Sequence, residues 1–140
     1  MTAIDSLIRL HRWQLDERRR QLAELETLAE KLRGEETRLL AEQANEQKVA
    51  SASTDAASAY GAYAAHVIEK RKKIAQSLAS VEQQVAMARD ALSESYREVK
   101  RYEVAAASRA AQQRKRAARL QQRTLDEIGG ETHRRRSRTA

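Results

Sequence analysis

The sequence predicts an all-α fold: two long antiparallel helices forming a coiled-coil hairpin, the second longer and ending in a basic overhang. Three observations carry this reading. The 140 residues include no proline, where average proteins have about one in twenty, so no imino acid interrupts a helix anywhere along the chain. Apolar residues recur at heptad spacing in two separate segments. Between the segments lies a short run of Ser, Thr and Asp with the chemistry of a turn and a helix cap.

The first helix is expected over residues of about 3–48. Thr2 followed by Asp5 resembles a capping box. Ile8, Leu15, Leu22 and Ala29 fall seven apart, and His11, Arg18, Leu25, Leu32 and Leu39 fill the alternate row. Steps of three and four put both rows on one narrow face, the seam of a coiled coil. Gly34 sits inside this pattern at a cost of about 1 kcal/mol relative to alanine, and a local bend is compatible with it. The heptad then dissolves into Val49-Ala50-Ser51-Ala52-Ser53-Thr54-Asp55-Ala56-Ala57-Ser58, which places the turn at about 50–57.

The second helix is expected at about 58–128, with rows Val67, Ile74, Val81, Ala88, Ser95, Tyr102 and Arg71, Leu78, Val85, Leu92, Val99, Ala106. The alternation continues through Arg109, Gln113, Arg116 and Leu120 with increasingly polar occupants. Gly129-Gly130 reads as a helix stop, making residues 1–130 a single hairpin and 131–140 a disordered basic tail.

In an antiparallel pair, the numbers of facing residues add to a constant. A sum of 110 sets Leu22 against Ala88, Leu25 against Val85, Ala29 against Val81 and Leu32 against Leu78, whereas 103 is the same zipper slipped by one heptad. The apolar pattern admits both. In either register the first helix is used up opposite residues of about 101–108, leaving an overhang of roughly 30–40 Å on the second.

Charge is concentrated in that overhang. The net charge is +7. From Lys100 onward twelve basic residues stand against Glu103, Asp126, Glu127 and Glu131, giving +8 and leaving −1 for the first 99 residues. Arg109, Arg114, Lys115, Arg116, Arg119 and Arg123 are the candidate contacts for an acidic partner, because arginine forks pair with carboxylates and Ala105-Ala106-Ala107 keeps the helix slim. A solvated face is the plain alternative. A second candidate surface lies near the hairpin tip, with Tyr60, Tyr63 and Val67 as apolar anchors and Lys70, Lys72 and Lys73 as charge.

Composition argues against catalysis. Aromatic residues make up 4% and charged residues 34% of the chain, too little bulky apolar material for a rounded core around a pocket. There is no cysteine, hence no disulfide, thiolate metal site or cysteine nucleophile. His11, His66 and His133 are not spaced as metal ligands, and no glycine-rich phosphate loop occurs. The expectation is a non-enzyme with no cofactor, no metal and no small-molecule substrate. No transmembrane segment and no signal peptide are expected, and a cytoplasmic location fits. Nucleic acid is disfavoured, since no base-stacking aromatic follows Tyr102.

Leu7-Ile8-Arg9-Leu10-His11-Arg12-Trp13-Gln14-Leu15-Asp16-Glu17, followed by Arg18-Arg19-Arg20-Gln21-Leu22-Ala23-Glu24, resembles the opening helix of the FliJ family of flagellar export proteins. Tyr96-Arg97-Glu98-Val99-Lys100-Arg101-Tyr102-Glu103 and Gln122-Arg123-Thr124-Leu125-Asp126-Glu127 are similar to its closing helix. The resemblance implies a coupling subunit of flagellar type III protein export: a two-helix stalk, similar to the central stalk of rotary ATPases, and an export chaperone. Its termini end would bind the export ATPase FliI, and other parts would meet the export-gate protein FlhA and export chaperones. The implied location is the cytoplasmic face of the inner membrane at the flagellar base. The chain departs from the family pattern at Gln112-Gln113-Arg114-Lys115-Arg116, basic where the closing helix is usually acidic, and at Val104, where leucine is more typical. The competing reading, from the charge alone, is a basic coiled coil that binds nucleic acid or ribosomes.

Overall fold

The computed structural model describes residues 2–139. Helix α1 (Ala3–Ala50) and helix α2 (Thr54–Thr139) pack antiparallel as a hairpin, with no strand among the described residues. Met1, and Ala140 at the end of the expected tail, lie outside them.

Both helix starts are capped as their residue types require. The Thr2 backbone N–H and hydroxyl donate to Asp5 Oδ2 at 3.1 and 2.7 Å, and the Asp5 N–H donates to Thr2 Oγ1 at 3.3 Å. This reciprocal exchange satisfies donors that the first turn leaves unpaired. At α2 the Ala56 N–H donates to Ser53 Oγ at 3.1 Å, so Ser53 is the N-cap. The end of α1 is closed by the Ser51 hydroxyl donating to the Lys48 carbonyl at 2.7 Å.

Two boundaries differ from the sequence expectation. Only residues 51–53 lie outside the helices, a turn shorter than 50–57, because Ser53 caps early enough for the Ala-rich stretch after it to join α2. Gly129-Gly130 does not stop α2. Neither glycine takes a positive φ, so the left-handed residue that terminates a helix is missing. The helix runs on to Thr139, with the Thr132 hydroxyl donating to the Ile128 carbonyl at 2.8 Å and an Arg135–Glu131 ion pair at 3.3 Å. Residues 131–139 are therefore helical rather than disordered.

Contacts gather into two units, one joining the residues up to Arg12 with those from Arg97 onward, the other being Trp13–Tyr96. In the second unit Ala29, Val81 and Val85 form a core against which Leu22, Leu25, Leu32 and Leu78 pack. Leu25 with Val85, Ala29 with Val81 and Leu32 with Leu78 are partners in the sum-110 register. The competing sum of 103 would give Ala29 to Ile74, which instead packs with Leu39, Val67 and Tyr63 in a separate cluster. In the first unit Ile8 and Val99 are buried.

Candidate partner-binding surface

In the unit that joins the start of α1 to α2 from Arg97 onward, polar side chains flank the buried Ile8 and Val99. His11, expected to pad the heptad, stacks on Tyr102 with ring centroids 4.6 Å apart and planes 20° from parallel. Its Nδ1 lies 3.3 Å from Glu98 Oε2. Beside it the Arg12 guanidinium donates to Glu103 Oε1 at 2.9 Å, and Lys100 Nζ reaches Glu103 Oε2 at 3.4 Å. The Arg12 hydrogen bond, seconded by Lys100, outweighs burial and holds the Glu103 carboxyl below its ordinary value. At the start of α1, Thr2, Ala3, Ile4 and Asp5 share a shallow crevice of about 280 Å³ with Ala106, Arg109, Ala110 and Gln113. Arg109 thus stands beside the first turn of α1.

Beyond Ala111 every described residue of α2 is exposed. This extension, residues 112–139, is about 40 Å of helix at 1.5 Å per residue. It carries Arg114, Lys115, Arg116, Arg119 and Arg123, five of the six basic residues singled out from the sequence. Helical spacing puts Lys115, Arg116, Arg119 and Arg123 on one face and turns Arg114 away from them. The opposite face holds Ala117, Leu120, Leu125 and Ile128 at the spacing of a short apolar stripe, interrupted by the polar Gln121 and Thr124 and flanked by Arg114. Leu120, Leu125 and Ile128 are 66%, 56% and 57% exposed.

In the other unit the structure separates the residues assigned to the tip. Tyr60 and Tyr63 are neighbours, with centroids 6.1 Å apart. Burial, seconded by Glu42 and Glu46, pushes the Tyr63 phenol up. Lys70, Lys72 and Lys73 are exposed, Lys72 standing 3.8 Å from Glu69. Val67 does not join them. At 1% exposure it is the most buried large side chain, packed on Leu39 and Ile74, so it holds the hairpin closed and is not open to a partner.

Among the described residues no group of three or more His, Asp or Glu side chains is placed to hold a metal ion, and no helix is long and apolar enough to cross a membrane. The fold and its surface define a two-helix coiled coil whose exposed features are helix faces rather than an enclosed cleft. The chain belongs to the FliJ family: the family model described as flagellar FliJ protein matches residues 1–138. It is accordingly a component of the flagellar export apparatus, from a non-catalytic family. Searches of curated proteins and of solved structures returned no match.

Proposed function

We propose that this chain is the coupling subunit of flagellar type III export, a stalk that binds the export ATPase FliI through the α2 extension and links it to the export gate FlhA and to export chaperones. The observation that carries the proposal is the extension itself, which presents a basic face and an apolar stripe to solvent. Burying the stripe supplies affinity, while the basic face steers an acidic partner and fixes its orientation. The tyrosine pair and Lys70, Lys72 and Lys73 are the second contact, suited to the gate or a chaperone because aromatic side chains beside cations make good anchors. In this reading the protein works at the cytoplasmic face of the inner membrane, raising the turnover or assembly of its ATPase without hydrolysing nucleotide itself.

Capture of purified FliI by the full chain tests the proposal. Arg116→Glu with Arg119→Glu should abolish capture and leave helicity by circular dichroism unchanged. Wild-type capture should weaken as salt is added, since exposed charges are screened within about 10 Å at 0.1 M. Capture undiminished in the double variant would move the contact to the tip. Loss of RNA or DNA binding with FliI capture intact would favour the nucleic-acid reading.

A further inference from the structure

The seam of this hairpin is nearly indifferent to a slip of one heptad, since the sums 110 and 103 make similar apolar pairs and both bring Arg18, Arg71 and Ser95 opposite an apolar residue. Its flank is not indifferent. Three ion pairs join α1 to α2 along one side of the seam: Arg12 to Glu103 at 2.9 Å, Arg89 to Glu26 at 3.2 Å and Arg33 to Glu82 at 3.1 Å. Each lies within one unit, and in all three the residue numbers add to 115. They occupy one heptad position on each helix, and the sign alternates: α1 supplies a base at 12, an acid at 26 and a base at 33. The remaining step sets Arg19 opposite Tyr96, and Arg19 pairs within α1 with Asp16 at 3.4 Å.

We infer that this alternating charge ladder, rather than the apolar seam, selects the register and bars helix sliding. A slip to the lower sum, the competitor the seam allows, sets Glu26 opposite Glu82, Arg19 opposite Arg89 and Asp5 opposite Glu103. No favourable pair replaces the three that are lost. A slip the other way sets Arg33 opposite Arg89 and leaves Glu26 facing Tyr96, with only Arg19 gaining a partner, Glu103. The other flank is charged only at its ends: Gln14, Gln21 and Leu28 there face Ala91, Gln84 and Ser77, which carry no charge, while Glu98 lies 3.3 Å from the His11 imidazole at one end and Glu35 stands opposite Lys70 at the other. Exposed ion pairs contribute little to stability individually. A register is chosen by a difference between two packings, however, and like charges brought opposite one another count in that difference as fully as attractive pairs.

The test uses disulfide reporters, for which the absence of native cysteine leaves a clean background. Leu25→Cys with Val85→Cys reports the sum of 110, and Leu25→Cys with Leu78→Cys reports 103. In the wild-type background the first pair should form nearly all the intramolecular crosslink. Reversing Arg19→Glu, Glu26→Arg and Arg33→Glu together makes positions 26 and 33 repel Arg89 and Glu82 in the native register. In the slipped one, positions 19 and 26 attract Arg89 and Glu82. Crosslinking should then move to the Leu25–Leu78 pair by tenfold or more. Adding Arg89→Glu and Glu82→Arg should restore the native crosslink, and this compensated variant keeps the test decisive if the triple variant folds poorly. A triple variant that keeps the Leu25–Val85 crosslink at the wild-type share would overturn the inference, as would a compensated variant that fails to recover it.

Discussion

At the scale of single residues, the beginning of α1 is held by carboxylates. Hydrogen bonds from Thr2 keep Asp5 below its ordinary value, as Arg12 does for Glu103. A group whose pKa falls on folding stabilises the folded state above its unfolded value and loses that contribution as the pH drops through the folded one. Acidification below the carboxylate range should therefore loosen the first turns of α1, and Glu103→Gln should remove the Arg12 share of that pH dependence. Amide exchange at residues 3–12 measures both, and protection unchanged into acid would contradict them. Gly34 is the opposite kind of residue. A Cβ there would meet nothing within 4 Å, and its φ is not positive, so Gly34→Ala should stabilise the hairpin by about 1 kcal/mol and raise Tm by about 4 °C.

At the scale of elements, the two helices, the cap of the first and the composition of the seam were legible, because heptad spacing and the residues Thr2 and Asp5 act locally; which residue of the Ser/Thr/Asp run caps the second was not. Nor was register. It depends on which flanking charges meet, and Glu26 or Arg89 read alone is only another solvated side chain. The end of α2 was misjudged for a related reason: Gly129-Gly130 has the composition of a stop, but a stop requires a left-handed backbone, which composition does not dictate. Of the candidate contacts, the charges of the extension were recognisable. Val67 was not: it is an apolar residue assigned to a partner that the hairpin uses for itself. The cluster it forms with Leu39 and Ile74 predicts that Leu39→Ala lowers stability by about 2 kcal/mol, the low end for such truncations because an open two-helix seam can close on the gap. Thermal or urea denaturation would reveal it.

At the scale of the whole molecule, the consequence of leaving residues 112–139 uncovered is thermodynamic. Apart from Gln113 at the crevice beside the first turn of α1, such an exposed stretch obeys helix–coil statistics: its order rests on propensity and on a few side-chain pairs spaced three or four apart, and it is lost gradually with temperature. Residues clamped at a seam melt together instead. Circular dichroism should thus show a shallow, early decline in ellipticity followed by one cooperative step, and truncation after Ala111 should remove the first and spare the second. Two adjacent glycines cost the extension roughly 2 kcal/mol of helix propensity relative to alanine, so Gly129→Ala with Gly130→Ala should flatten the early decline. The same substitutions bear on recognition. Any partner that requires this stretch in helical form must draw the ordering free energy from its own contacts, and prepaying it in the sequence should tighten binding while adding no new contact with the partner.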